Sequence, residues 1–285
     1  MGIKERHAPR FWTERTAVSN LLSPFGVVVG SIACCRARLA RPTAIDIPVI
    51  CVGNLVAGGA GKTPVALSLA SRLEQMGYEV HFLTRGYGGR IRGPHRVDTN
   101  VDGVHDVGDE ALLLARVAPT WVSMDRAAGG RLAEQNGAQI IIMDDGFQNF
   151  SLAKNLSALV VDSEYGFGNR RVIPAGPLRE PIPCGLSRAD LVILLGGDNP
   201  NVTSEIPGEL PLLRGKILMD PVLEKIAGDS IIAFAGIGRP EKFFTALNRS
   251  VGTVLESISF PDHHIYTAEE ILNEIKEFTW NREVK

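Results

Sequence analysis

The chain has 285 residues, of which 45% are hydrophobic and 22% are charged, and its formal net charge is −2. This length and apolar content support one large domain or two smaller ones, and the near-neutral charge excludes the basic footprint of a nucleic-acid-binding protein. The four cysteines form no Cys-x-x-Cys pair, which is typical of a protein from a reducing compartment.

The first predicted element is an apolar segment near the N-terminus. Residues 17–35 contain no charged side chain and are flanked on both sides by arginines. Their length permits a membrane span, but Asn20, Pro24 and Gly26 interrupt the run, and no small-x-small site indicates a cleaved signal peptide. A helix that lies in the membrane interface, with arginines at the lipid head groups, fits better. A helix packed on the protein's own core is the alternative.

A glycine-rich turn follows the apolar run Val49–Val52 and leads into a helical pattern. Strand, loop and helix in this order are the context of a phosphate-binding loop, whose backbone N–H groups wrap around phosphate oxygens. Lys62 is expected to reach the β- and γ-phosphates, and the Thr63 hydroxyl to ligate Mg²⁺. An ordinary turn is the alternative, since Val56 stands where the strict motif has glycine. The predicted nucleotide-binding residues are Val56, Ala57, Gly58, Gly59, Ala60, Gly61, Lys62 and Thr63.

Beyond Pro48, short apolar runs alternate with helical patterns. This alternation predicts a P-loop NTPase-like α/β fold, with a mostly parallel sheet, helices on both faces and ligands at the carboxyl ends of the strands. Predicted strands lie at 49–52, 80–83, 140–143, 159–161, 191–195 and 231–234, and predicted helices at 64–76, 109–117, 126–136, 240–248 and 268–278.

A stretch rich in Gly, Pro and Asn at 196–213 predicts a linker. We therefore expect a membrane-associated helical segment at 1–45, a nucleotide-binding domain at 46–208 and a smaller α/β domain at 209–285.

Two acids end the predicted strand at 140–143. A carboxylate at the end of a strand beside a phosphate loop is a usual holder of Mg²⁺, directly or through water. Asp144 and Asp145 are therefore predicted metal-associated residues, and a solvated Asp-Asp-Gly turn is the alternative.

Four further residues have two interpretations each. Arg85 and Arg179 lie in glycine-rich and proline-dense loops, where each either clamps a phosphate or is part of a structural loop. Asp109 opens a predicted helix, where it is either functional or only a cap. His263 is either a general acid/base partner or a loop residue, and adjacency to His264 disfavours metal ligation by the pair.

Six motifs run from Val49 to about Phe278: VGNLVAGGAGKTP, TRGYGG, GDE, MDDGFQ, IPAGPLREP and FPDHH. In this order and rough spacing they resemble the tetraacyldisaccharide 4′-kinase family of the lipid A pathway. The phosphate loop of that family also lacks the first glycine, in agreement with Val56, and the N-terminal apolar segment matches the family's membrane-associated helix.

The resemblance implies ATP-dependent phosphorylation of the 4′-hydroxyl of an acylated, β-1,6-linked glucosamine disaccharide 1-phosphate. The product would be lipid IV-A, made at the cytoplasmic face of the inner membrane by a peripheral or monotopic enzyme. The resemblance also implies two α/β/α domains joined by a hinge, with the active site in the cleft between them.

Residue roles follow from the same motifs, as implications of the resemblance. They are Asp109 as catalytic base, His263 as its partner, Lys62 and Thr63 in the phosphate loop, Asp144 and Asp145 as Mg²⁺-associated acids, and Arg85, Arg126 and Arg179 near nucleotide or lipid phosphate.

One departure concerns the C-terminus. Family members usually continue past the FPDHH helix with a further strand and a Thr-Thr-x-Lys-Asp-like segment, whereas this chain stops at Lys285. The smaller domain is therefore expected to be incomplete. Two other functions remain as alternatives: a non-catalytic ATP-binding protein of the membrane surface derived from this kinase, and a P-loop ATPase that acts on another amphiphile.

Overall fold

A computed structural model of the chain describes residues 9–218, 221–238, 240–251, 253–261, 264 and 266–283. They form two compact units, one spanning Pro9–Ile217 and a smaller one made of the described residues from Leu218 onward. His263, a predicted catalytic residue, lies outside the described residues.

The larger unit contains an eight-stranded sheet with helices on both faces. Its strands are β1 (Val49–Gly53), β2 (Val80–Thr84), β3 (His95–Arg96), β4 (Thr120–Val122), β5 (Ile140–Asp144), β6 (Leu156–Asp162), β7 (Leu191–Leu195) and β8 (Leu212–Gly215). Its helices are α1 (Ala17–Leu39), α2 (Lys62–Gln75), α3 (Val104–Val107), α4 (Asp109–Ala115), α5 (Arg126–Gln135), α6 (Ile182–Leu186) and α7 (Pro200–Thr203).

The strand order β3-β4-β2-β5-β1-β6-β7-β8 places β1 between β5 and β6. All neighbours are parallel except the edge pair β3 and β4. Parallel strands covered on both faces bury every side chain, and every residue of β2 and β5 is buried. The predicted parallel α/β fold is confirmed. Val52 pairs with Asp144, so the end of β1 lies beside the end of β5.

Two apolar layers cover the sheet. On one face, Ala66 and Ala70 of α2 and Leu114 of α4 pack against Phe82 and Ile142. On the other face, side chains from α5 and α6 join a larger cluster with residues of β1, β5, β6 and β7. The sheet is therefore a rigid platform whose carboxyl edge carries the loops described below.

The larger unit extends past the predicted boundary at residue 208. Strand β8 pairs in parallel with β7, from Val192 opposite Leu212 to Leu195 opposite Gly215. The Gly- and Pro-rich stretch before it is thus a connection within this sheet rather than a linker between units, and the larger unit ends at Ile217.

Helix α1 packs on the larger unit through small residues. Its buried residues are Ser19, Gly26 and Gly30. A Cβ atom at Gly26 would lie 2.6 Å from the carbonyl oxygen of Val172, and one at Gly30 would lie 3.0 Å from Cγ of Pro181. Glycine at these two positions therefore allows the helix to lie directly on the loop that contains Val172 and Pro181.

The rest of α1 presents large apolar side chains outward. Leu21 is 77% exposed, and Phe25, Val27, Val28 and Ile32 are each more than half exposed. By length and composition, α1 is also long and apolar enough to cross a membrane. The alternative of a helix packed on the protein's own core therefore holds only for a narrow face of small residues, and the large apolar side chains stay exposed.

The smaller unit is a β-α-β arrangement. It contains β9 (Ser230–Ala235), α8 (Pro240–Val251), β10 (Thr253–Ser259) and α9 (Ala268–Glu283), and β9 pairs in parallel with β10. Phe244, Leu247 and Val251 of α8 pack against Ala233 and Ala235 of β9. A helical crossover is the connection that two parallel strands require.

Candidate active site

The loop between β1 and α2 has the backbone of a phosphate cradle. Gly58 and Gly61 have φ angles of 100° and 83°, a left-handed conformation that glycine adopts without strain. The side chain of Asn54, which is fully buried, donates to the carbonyl oxygen of Gly58, and the Ala57 N–H donates to Pro177. These bonds hold the loop around the N-terminus of α2, where backbone N–H groups and the helix dipole favour an anion.

The structure brings Lys62, Thr63, Asp144 and Asp145 together. The Thr63 hydroxyl donates to Oδ2 of Asp144 at 3.1 Å, and Nζ of Lys62 lies 3.8 Å from Oδ1 of Asp145. Lys62 is 7% exposed. The first turn of α2 and the end of β5 therefore form one polar cluster beside the cradle.

Asp144 fits a divalent metal. It is 1% exposed, and its Oδ1 has no hydrogen-bond partner among the residues that the structure describes. Burial, helped by the charge of Glu110, raises the pKa of Asp144 to about 7, against the opposing effect of Lys62. A buried carboxylate oxygen without a partner, next to a threonine hydroxyl, is a donor set that suits Mg²⁺.

The pKa of Asp145 is shifted in the opposite direction. Burial alone would raise its pKa, but the positive charges of Lys62 and Arg179 outweigh burial and lower it. Arg179 donates to both carboxylate oxygens, at 2.7 and 3.1 Å. The backbone of Asp145 also has a left-handed φ of 50°, which turns the chain where β5 ends and directs a paired carboxylate to this point.

The three predicted arginines lie around one cleft of about 690 Å³, with Asp145 also in its lining. Arg126 opens α5, is 3% exposed and donates to the carbonyl oxygen of Ser123. Its Nε has no hydrogen-bond partner among the described residues. Burial, with the nearby charge of Arg85, lowers the pKa of Arg126 to about 10. Like charges held this close at a cleft indicate an anionic ligand.

One wall of this cleft comes from α1. Val29, Ile32 and Ala33 line it together with Arg36. A larger groove, of about 1080 Å³, also borders α1, but its lining contains none of the predicted site residues. The cleft of about 690 Å³ thus combines apolar side chains from α1 with cationic side chains from the sheet edge.

Asp109 lies at the start of α4, next to this cleft. Its Oδ1 accepts a hydrogen bond from the N–H of Glu110 at 3.0 Å. The N-cap of α4 is Gly108, not Asp109, and Glu110 itself lines the cleft. Asp109 is therefore the first residue of the helix rather than its N-cap. Gly108 packs so closely on the carbonyl oxygen of Tyr87 that a Cβ would lie 2.2 Å away, which keeps the loop of Arg85 against the start of α4.

The sequence analysis did not single out Gln148 and Glu180 as residues of the site. Gln148 lines the cleft, and its side chain bonds to Glu180, which is 1% exposed. Both lie in motifs quoted above, MDDGFQ and IPAGPLREP, but neither residue type has a spacing that signals a function.

Comparisons with known proteins agree on one family. The family model of tetraacyldisaccharide-1-P 4′-kinase matches residues 18–282. Tetraacyldisaccharide 4′-kinases of Rhodospirillum centenum and Rhodospirillum rubrum are 52% and 51% identical, each covering 93% of this chain and 80% and 81% of the relative. A crystal structure of LpxK from Aquifex aeolicus in complex with ATP matches with a TM-score of 0.71 and 29% identity, over 89% of this chain and 86% of that chain.

Proposed function

Because this chain belongs to the tetraacyldisaccharide-1-P 4′-kinase family, we propose that it transfers the γ-phosphoryl group of ATP to the 4′-hydroxyl of a tetraacyldisaccharide 1-phosphate. The reaction would supply lipid IV-A for lipid A biosynthesis. Its acceptor is an amphiphile, so the enzyme would work at the cytoplasmic face of the inner membrane as a peripheral or monotopic protein.

The observation that carries this proposal is the composition of the cleft. Asp145, which pairs with Lys62 of the phosphate cradle, lines the same cleft as four arginines and the apolar side chains of α1. A nucleotide phosphate suits the cradle, a sugar phosphate suits the arginines, and acyl chains suit α1. An ATPase without a lipid acceptor would have no use for this combination.

Each polar group of the cluster has a role in this reaction. Lys62 would bind the β- and γ-phosphate oxygens, and Arg85, Arg126 and Arg179 would stabilise phosphate charge in the cleft. Thr63, Asp144 and Asp145 would hold Mg²⁺, which when bound neutralises charge on the phosphates. A sugar hydroxyl is a weak nucleophile near neutral pH, so Asp109 would accept its proton.

The test is label transfer from ATP by the purified full chain in mixed micelles. We expect label in the lipid only when Mg²⁺ and the acylated disaccharide 1-phosphate are both present. Release of inorganic phosphate alone would favour the P-loop ATPase. Binding of ATP with neither turnover nor transfer would favour the non-catalytic ATP-binding protein.

Asp144→Asn tests the metal assignment. The variant loses the anionic oxygen that suits Mg²⁺, so we expect the Mg²⁺ concentration for half-maximal activity to rise about tenfold or more. The free energy of unfolding should not fall, because a buried charge is removed. Asp98→Asn, at an exposed turn, is the matched control. If the Mg²⁺ dependence of activity is the same for Asp144→Asn and the parent, Asp144 has a structural role only.

Acidic substitutions on the exposed face of α1 test membrane association. Phe25 and Val28 are 63% and 59% exposed, so Phe25→Asp/Val28→Asp should fold as the parent does. Partition to phosphatidylethanolamine–phosphatidylglycerol vesicles should fall about tenfold or more, because two apolar side chains no longer enter the interface. Val101→Asp, at an exposed position outside α1, is the control. Equal partition of all three proteins would contradict the membrane role of this face.

A further inference from the structure

A buried ion pair joins a residue of the cleft to one that does not line it. Glu180, which follows Arg179 in the chain, is 1% exposed. Arg188 donates to both of its carboxylate oxygens, at 2.8 and 2.9 Å. A carboxylate this deeply buried needs such a partner, and Arg188 supplies the compensating charge.

Glu180 in turn fixes the side chain of Gln148 by a hydrogen bond. Nε2 of Gln148 donates to Glu180 at 3.0 Å and to the carbonyl oxygen of Asn54 at 2.9 Å. Its Oε1 accepts from Nη1 of Arg179 at 3.2 Å. A flipped amide would place its oxygen against the carboxylate and its NH₂ group against the guanidinium. The Glu180 carboxylate and the Asn54 carbonyl oxygen therefore together favour the amide orientation that Arg179 requires.

Arg179 completes the connection, because its guanidinium holds both oxygens of Asp145. Hydrogen bonds thus run without interruption from Arg188 through Glu180, Gln148 and Arg179 to Asp145. All of these residues except Arg188 line the cleft.

Arg188 is itself fixed by its surroundings. The guanidinium carbon lies 5.0 Å from the ring centre of Phe147 and 5.1 Å from that of Phe150, and Nη1 donates to the carbonyl oxygen of Cys184 at 2.7 Å. A planar guanidinium satisfies the aromatic rings and the carboxylate at once, which an ammonium group cannot do.

We propose that Arg188 is a positioning residue of the kinase site, which acts through Glu180 to orient Gln148 and Arg179 in the cleft. The inference rests on the proposed function, because it concerns the placement of groups that meet the acceptor. Loss of Arg188 leaves Glu180 without its ion-pair partner, so Gln148 and, through it, Arg179 lose the fixed carboxylate that orients them.

The experiment compares Arg188→Met, Arg188→Lys and the double variant Glu180→Gln/Arg188→Met. For Arg188→Met we expect kcat/KM for the acylated acceptor to fall about tenfold or more, since a small displacement of a positioning group has such an effect. The Kd for ATP in the absence of acceptor should stay within about twofold, because the phosphate cradle has its own contacts. Arg188→Lys should recover little of the loss. Arg72→Met, an exposed arginine on α2, is the matched control.

The double variant separates positioning from folding. Glu180→Gln/Arg188→Met contains no unpaired buried carboxylate, unlike Arg188→Met. Its free energy of unfolding should therefore be closer to that of the parent. The acceptor kcat/KM should stay low, because an amide at position 180 can present its NH₂ group as readily as its oxygen to Gln148, and only the Asn54 carbonyl oxygen then remains as a fixed acceptor. Recovery of both quantities would show a purely structural ion pair and overturn the proposal, as would a stable Arg188→Met with the kinetics of the parent. Absence of transfer by the parent would instead contradict the proposed function.

Discussion

Lys62→Ala is expected to lower kcat by roughly 10²–10⁴-fold at saturating ATP and acceptor. In phosphoryl transfer most of the catalysis is electrostatic, and a lysine ammonium placed on the β- and γ-phosphates stabilises charge that develops in the transition state. Lys62 is positioned for this role, because it is buried at the first residue of α2 and paired with Asp145.

The measurement is label transfer under single-turnover conditions. Arg179 still pairs with Asp145 in this variant, so we expect a thermal unfolding midpoint close to that of the parent. Lys62→Arg, which keeps the charge but moves it, should recover only part of the rate. A folded Lys62→Ala protein with nearly normal turnover would remove the loop from the mechanism.

Asp109→Ala is expected to have an effect of similar size, roughly 10²–10⁴-fold on kcat, because the acceptor hydroxyl loses the base that takes its proton. ATP affinity should change little, since Asp109 lies on α4 and not in the phosphate cradle. Asp109→Asn is the matched control for structure, as its amide oxygen can still accept from the N–H of Glu110. Normal activity of Asp109→Asn would show that the carboxylate is not the base.

The predicted partnership with His263 is tested by the same assay. His263→Ala and Asp109→Ala should each lower kcat strongly, and the double variant should lose little more than the worse single one, because members of one catalytic unit are not additive. This prediction comes from the family resemblance, as His263 lies outside the described residues. Fully multiplicative losses would show that the two residues act independently.

The strands that were predicted correctly share one property. β1, β5, β6, β7 and β9 each contain at least four consecutive apolar residues, and β2 contains three together with one histidine. Such apolar runs are typical of strands in a buried parallel sheet. β4 has three residues and β8 has four, too few for a periodic signal. Their pairing is determined by the neighbouring strands, β2 for β4 and β7 for β8.

The phosphate cradle was accessible to sequence reasoning because it is local. Glycines, lysine and threonine lie within a few residues of each other, between a recognisable strand and helix. The ion pair of Glu180 and Arg188 was not accessible. Its effect on the cleft depends on Gln148 and Asn54, which are far away in the chain, and only the fold brings these side chains together.

The surroundings of helix α1 could be predicted from the sequence only in part. Sequence reasoning treated membrane contact and packing on the protein as alternatives, because the segment is apolar throughout. The structure separates the two by residue size: Gly26 and Gly30 face the larger unit, whereas Leu21 and Phe25 are exposed. Glycine allows the backbone of the helix to approach a neighbouring loop closely. A hydropathy pattern does not show where such an approach occurs.

The most direct test of the account is the position of the new phosphate. Purified full chain is incubated with ATP, Mg²⁺ and tetraacyldisaccharide 1-phosphate, and the lipid product is analysed by ³¹P NMR with proton correlation. We predict a product with two monoester phosphates, the original one at position 1 and the new one on O-4′. A product phosphorylated elsewhere, or ATP hydrolysis with unchanged lipid, would contradict the account.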